Sequence, residues 1–145
     1  MASEEQIEFI ITQYRQSCPH TFWKKNDTTN VGLGAVIRCL MKHDGKATSG
    51  QISEEMNVST ARVAALLKKM EQRGWLVREK DATDKRITLV KLTSEGMAIG
   101  VTMRKNIRQQ IATLIDEIGV EKLMDFMETR AKIFELVDHS KFWLH

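Results

Sequence analysis

Small and basic residues share one side of the segment TARVAALLKKMEQRG, which spans residues 60–74. At about 100° per residue, Val63, Leu66, Leu67 and Met70 form a buried stripe at i, i+3, i+4 and i+7. The opposite face carries Ala61, Ala65, Lys68 and Gln72, with Arg62 and Lys69 on one shoulder, and it holds no carboxylate. Such a face is suited to recognising a polyanion. Ser59, Thr60, Ala61 and Arg62 sit where a helix first meets base edges, so Ala61 offers a methyl contact and Arg62 a bidentate fork for guanine. Each good pair of this kind discriminates by roughly 1–3 kcal/mol. Lys68 and Lys69 lie further along, at phosphate. A charged loop follows, with Lys80, Lys85 and Arg86 beside Asp81 and Asp84. An arginine at a projecting tip suits a narrow, negative minor groove, whereas Arg78 fits a phosphate contact that positions without reading sequence. A charged outer face is, alone, the ordinary state of an amphipathic helix. The neighbouring segments favour the sharper reading.

Those neighbours give the helix its setting. Asp44-Gly45 closes a preceding helix, and Thr48 with Gln51 has capping-box spacing before a short helix carrying Ile52 and Met56. Asn57 suits a left-handed turn and Ser59 an N-cap, which gives two helices joined by a tight turn. Gly74 stops the second helix, and WLVREK pairs with ITLVKL across the charged loop. The expectation is a winged helix-turn-helix over 29–92.

Upstream, Ser3 and Gln6 repeat the capping-box spacing, and Ile7, Ile10, Ile11 and Tyr14 predict a helix from about Ser3 to Ser17. SCPHTFWKKNDTT breaks it, and a second helix runs from Thr29 or Asn30 to His43, with Val36, Leu40 and Val31 or Leu33 inward. Gly32 and Gly34 each cost that helix about 1 kcal/mol, so they mark close packing, a frayed first turn or a flexible joint. Downstream, Thr93 caps a long pattern through Met97, Val101, Ile107, Ile111, Leu114, Ile115 and Ile118. Some 25 residues would span about 37 Å. A last helix from Val120 to about Val137 carries Leu123, Phe126, Met127, Ile133 and Phe134. The reader head is too small to cover this apolar surface. A homodimer whose helices from 1–28 and 93–145 interleave is the simplest solution, and it sets two readers a DNA turn or a multiple apart.

The formal charge of the 145 residues is only +3. From Thr60 to Lys91, however, nine Lys and Arg face four Asp and Glu, an excess of five, so everything else sums to −2. The positive charge is concentrated in the reader. Two cysteines are too few for a disulfide scaffold, and no zinc-finger spacing appears. His20, His43, His139 and His145 make no His-x-x-x-His pair. His43 is explained by a helix C-terminus and Cys39 by a small core position. No metal site and no cofactor is expected. Paired carboxylates, a nucleophile with its base, and a phosphate-cradling glycine loop are all missing, so an enzyme is not expected. The acidic start MASEEQIEF is unlike a signal peptide, and no run reaches the ~20 apolar residues of a membrane span. A reduced cytoplasmic setting, away from membranes, is expected.

The stretch GWLVREKDATDKRITLVKLTSEG, with Asp81, Asp84 and Arg86 followed by Leu92, Thr93 and Gly96, resembles the wing of the MarR family of bacterial and archaeal transcriptional regulators. LLKKMEQRG is similar to that family's second reader helix, particularly in its peroxide-sensing branch. The resemblance runs from about Ile7 to Val137, and it implies a mainly α fold with a small β wing and dimerisation helices at both termini. It also implies a palindromic operator in double-stranded DNA read by Ser59 to Lys69. Arg86 would enter the minor groove, and Asp84 would stabilise the wing by pairing with a neighbouring base. Members are often released from DNA by small aromatic acids, drugs, lipids, metals or oxidation, and more often repress than activate.

Tyr14, Phe22 and Trp23 are candidates for a small aromatic or lipophilic effector pocket, and equally for dimer-core aromatics. Cys18, near His20 and Lys24, is the candidate redox residue. It follows the first helix, whereas the peroxide sensors carry theirs inside it. The expected function is a homodimeric, sequence-specific regulator that answers a small-molecule or redox signal. A nonspecific or architectural DNA binder without a ligand response is the alternative, set apart by a steep salt slope with little preference for a palindrome. A third reading, a protein-interaction winged helix, is disfavoured by Arg86 and by the lack of acidic residues on the recognition face.

Overall fold

A computed structural model describes residues 1–17 and 29–136, without the side chains of 14–17, 29–31 and 134. The elements are α1 (Glu4–Ser17), α2 (Thr29–Lys42), β1 (Lys46–Thr48), α3 (Ser49–Met56), α4 (Thr60–Gln72), β2 (Leu76–Lys80), β3 (Thr88–Leu92), α5 (Ser94–Ile118) and α6 (Val120–Leu136). The fold is mainly helical with a small antiparallel sheet. Two compact units divide the chain: residues 20–104, and residues 1–19 with 105–145. The division falls within α5.

The first unit holds the helix-turn-helix and the sheet. Strand order is β1-β3-β2, both pairs antiparallel. β2 and β3 pair as the sequence suggests, from Leu76 opposite Leu92 to Lys80 opposite Thr88. The third strand is a correction, because the sequence points to a two-stranded wing. β1 places Ala47 opposite Val90, and three residues are too few to show the alternation that identifies a strand.

Local chemistry sets the boundaries of these elements. Thr48 and Gln51 form a reciprocal capping box at the start of α3. Asn57 ends it at φ 50° and ψ 47°, a left-handed conformation that asparagine tolerates better than most residues. Ser59 Oγ accepts from the Arg62 N–H at 3.3 Å, which caps α4. The turn is tightened from within, since Ser53 Oγ donates to the Val58 carbonyl at 2.8 Å. Thr93 Oγ1 does double service at the start of α5, accepting from Gly96 N–H and donating to the Gly74 carbonyl.

One apolar core holds these pieces. Leu33, Val36, Ile37 and Leu40 of α2 meet Ile52 of α3, the α4 stripe of Val63, Leu66, Leu67 and Met70, and Leu76 and Val90 from the sheet. The stripe read from periodicity is therefore the buried face. Ile99 and Met103 pack on this core from the early part of α5. Close packing is the reading that fits the paired glycines of α2. A Cβ on Gly32 would stand 3.0 Å from Leu66 Cδ2, and one on Gly34 3.1 Å from Met103 Cε.

In the second unit, Ile7, Ile10 and Ile11 of α1 pack with Ile115 of α5 and with Leu123 and Met127 of α6. The Ser3–Gln6 capping box opens α1, and Arg108 pairs with Glu4 and Glu8. Phe9, Leu114, Ile118, Phe126, Ile133 and Leu136 remain exposed. Among the described residues no helix is long and apolar enough to cross a membrane.

Candidate nucleic-acid interface

α4 turns its core stripe inward and leaves Ala61, Ala65, Lys68 and Gln72 exposed, with Arg62 and Lys69 half-buried on the shoulder. Ser59 and Thr60 are exposed at the helix start. Ala64 is exposed there too. It was missed because a lone alanine scores as core as readily as surface. With Ala61 it lines a cleft of about 380 Å³, whose other walls are Ser49, Thr60, Leu67, Arg78 and Thr88. The first turn of the recognition helix, the start of α3 and the wing strands thus converge on one recess.

The wing is organised by an aspartate at its base. Asp81 Oδ1 accepts from the Thr83 N–H at 2.8 Å, the Thr83 hydroxyl at 2.6 Å and the Asp84 N–H at 3.0 Å. The Thr83 hydroxyl first, then the two backbone donors, pull the Asp81 carboxyl down to about 2. The sequence motif marks Asp81 but not this role. Asp84 Oδ1 accepts from the Arg86 N–H at 3.0 Å and lies 3.4 Å from Arg86 Nε. Arg86 itself is 94% exposed, so it projects from the tip while tethered at its base.

The basic residues of the reader fall into two groups. Arg78 pairs with Glu71 at 2.5 Å, an interaction that holds the Glu71 carboxyl below its usual range, and Lys91 pairs with Glu79 at 2.8 Å. Arg73 lies 4.9 Å from the ring centroid of Trp75, which is half-buried at the wing root. Lys68, Lys69 and Lys85 have no carboxylate partner among the described residues. Among the described residues these three lysines are not engaged in an ion pair, which leaves them available to phosphate.

Other expectations fall elsewhere. Cys18, Phe22, Trp23 and the side chain of Tyr14 lie outside the described residues. Cys39 is 7% exposed in the reader core, in keeping with a small core residue. Its surroundings carry more than packing, however. Among the described residues, Cys39, His43 and Glu55 form a group of three metal-ligating side chains, with ligand atoms within 4.8 Å of one another. Burial, then the Glu55 carboxylate, pushes the Cys39 thiol up to about 11. The hydrogen bond from His43 lowers Glu55. The sequence signal was the spacing of Cys39 and His43, four apart, which a search for His-x-x-x-His does not meet.

The family model described as MarR family matches residues 35–87, which is the helix-turn-helix with most of the wing. YwhA, an HTH-type transcriptional regulator of Bacillus subtilis (strain 168), is 25% identical over 100 residues, covering 69% of this chain and 71% of that protein. Among solved structures, the PcaV transcriptional regulator from Streptomyces coelicolor superposes with a TM-score of 0.64 at 14% identity, over 90% of both chains. BpsR of Bordetella bronchiseptica, a protein whose DNA binding is regulated by 6-hydroxynicotinic acid, gives a TM-score of 0.54 at 18% identity, over 90% of this chain and 93% of its own. At these identities the structural matches speak for the fold. Together with the order of helices and wing, they lead to one conclusion: residues 35–87 match the MarR family, and the chain has the winged helix-turn-helix architecture of that family's solved structures, a fold that implies DNA-binding transcriptional regulation.

Proposed function

We propose that the protein is a homodimeric repressor that reads a palindromic operator and leaves it in response to a small aromatic or lipophilic effector, or to oxidation. The observation that carries the reading of sequence is the exposed face of α4. Its first turns offer Thr60, Ala61, Ala64 and Arg62, and its later turns offer Lys68 and Lys69 without a carboxylate partner among the described residues. Side chains so placed divide the work as major-groove readers do, bases first and phosphates after. Arg86 enters the adjacent minor groove from the wing tip, with Lys85 beside it and Asp84 fixing its base. Arg78, held by Glu71, supplies a phosphate contact from the wing strand.

Dimerisation by the terminal helices, residues 1–28 and 93–145, is supported by the apolar surface of the second unit. Phe126 is 63% exposed and Leu136 78% exposed, and Phe9, Ile118 and Ile133 add to the same demand. Large apolar side chains left this exposed on one unit are costly in water, and a partner's helices would cover them. The effector proposal rests on likeness to BpsR, and Tyr14, Phe22 and Trp23 are the residues assigned to it, with Cys18 as the residue assigned to oxidation.

Affinity selection from random duplex DNA, with and without a panel of aromatic carboxylic acids, tests all three parts together. The expected product is a palindrome with half-sites about one helical turn apart, released by at least one acid. Arg86→Ala weakens binding to every selected sequence, whereas Arg62→Ala also relaxes the preference at one position per half-site. Enrichment of no sequence, together with a steep salt slope, would assign the protein to nonspecific binding instead.

A further inference from the structure

Cys39, His43 and Glu55 lie on neither the exposed face of α4 nor the wing, and the reading of DNA does not use them. Cys39 is in the last turn of α2, His43 is the first residue past its end, and Glu55 is in the last turn of α3. Four residues apart, Cys39 and His43 point to the same side, the arrangement by which one helix offers two ligands to one ion. Glu55 then approaches from the second helix. Its Oε2 lies 3.7 Å from Cys39 Sγ, and its Oε1 is hydrogen-bonded to His43 Nε2. The three donors form a cup with sulfur at the floor. Cys39 is buried, while the side chains of His43 and Glu55 are 32% and 31% exposed at the rim.

We propose that Cys39, His43 and Glu55 form a binding site for a divalent transition-metal ion of the zinc class, completed by water. The donor set itself selects the metal. Sulfur, imidazole nitrogen and one carboxylate suit Zn²⁺ and its tetrahedral relatives, whereas Ca²⁺ and Mg²⁺ require oxygen-rich shells. Spacing agrees with this choice. Bonds of about 2.0–2.3 Å in a tetrahedron place neighbouring donors roughly 3.3–3.8 Å apart, and the sulfur–oxygen separation already falls in that range. His43 and Glu55 are closer than this, and an ion replaces their shared proton by separating them slightly at the open rim. Lys42 Nζ, 3.4 Å from Glu55 Oε2, occupies part of the space a cation would take. Its side chain is 71% exposed and swings into water when the ion enters.

Binding joins α2 to α3, so the ion stabilises the reader and not merely three side chains. α3 leads through Asn57, Val58 and Ser59 directly into the recognition helix. Metal occupancy therefore bears on the stability of the DNA-reading fold.

The test is a titration of metal-free full-length protein carrying Cys18→Ser, which leaves Cys39 as the sole thiol of the two in the sequence. Addition of Co²⁺ gives a one-to-one complex with a thiolate-to-cobalt charge-transfer band and ligand-field absorption of tetrahedral intensity, and Zn²⁺ displaces it. His43→Gln and Glu55→Gln each weaken binding by roughly tenfold to a hundredfold or more. Cys39→Ser abolishes the charge-transfer band. Because Cys39 is buried, that variant is read beside the exposed Glu55→Gln, whose fold is checked by circular dichroism. In a parallel melting experiment Zn²⁺ raises the midpoint of the Cys18→Ser protein and leaves that of the Glu55→Gln double variant unmoved. Absence of the band, a band of unchanged affinity in both Gln variants, or equal stabilisation by Mg²⁺ overturns the proposal.

Discussion

Replacing Gly96 by alanine tests how the wing root is fastened to α5. A Cβ on Gly96 would stand 1.9 Å from the Trp75 carbonyl oxygen, 2.9 Å from its carbon and 3.0 Å from Leu92 Cδ2. Even close carbon–oxygen contacts settle at about 3.3 Å, so the backbone must open by more than about 1 Å. The oxygen cannot simply swing aside. It accepts from Thr93 N–H at 3.0 Å, while Trp75 N–H donates to the Met70 carbonyl at 3.0 Å. Overpacking costs about 1–3 kcal/mol, and a rigid backbone neighbour puts this site at the upper end. Loss of the Thr93–Trp75 hydrogen bond adds about 1 kcal/mol, and the better helix propensity of alanine returns about as much. The expected net loss is about 3 kcal/mol, or roughly 6–12 °C in melting temperature for a chain of this size. Gly50→Ala is the matched control. Its Cβ would meet nothing nearer than Thr48 Oγ1 at 3.8 Å, so it should raise stability by up to about 1 kcal/mol. Thermal and urea unfolding by circular dichroism read both variants. Should Gly96→Ala melt at or above the parent, the proposed fastening of α5 to the wing root is wrong.

Asn57→Gly should leave stability within about 0.5 kcal/mol, because glycine adopts the same left-handed conformation, whereas Asn57→Val should cost about 1–2 kcal/mol in urea unfolding. Met70→Ala, at a site fully closed to solvent, should cost about 2–5 kcal/mol by the same assay. The Asp81 carboxyl titrates near 2 when folded and near the ordinary value of about 3.9 when the wing is unfolded. A lowered folded value means its contribution is complete above the unfolded value and is lost as pH falls through about 2. Amide shifts of Thr83 and Asp84 should therefore hold from neutral pH to below 4 and move together toward pH 2. A midpoint at the ordinary aspartate value would contradict the three hydrogen bonds assigned to Oδ1.

Features written within a few residues of sequence were legible. The capping boxes at Ser3 and Thr48, the left-handed Asn57, the Ser59 cap and the α4 stripe each depend on local spacing, and each stands in the structure. What depends on segments meeting in space was not. β1 becomes a strand only because β3 lies beside it, and three residues carry no period of their own. Glu55 joins Cys39 and His43 from a different helix, so no linear spacing announces the trio. The pairing of Arg78 with Glu71 is likewise a meeting of strand and helix, and it gives one member of the basic face an acidic partner that no linear spacing announces. Asp81 lay in plain view, but its hold on the loop depends on a fold-back that only the backbone path reveals.

The strand order has a topological consequence. β1 immediately precedes the helix-turn-helix and β2 immediately follows it, yet both are bonded to β3. The third strand is a clasp that closes the segment from Lys46 to Lys80 into a ring held at both ends by one five-residue ribbon. A ring so closed cannot fray from either end without first breaking its clasp, so its parts should open together. The amides of β3 should then exchange with solvent more slowly than those of its two flanks. Lengthening the chain at Ala82 or Thr83 would disturb the Asp81 turn outside the ring and leave both strand registers alone, whereas cutting one residue from β3 would slip both flanks out of register at once.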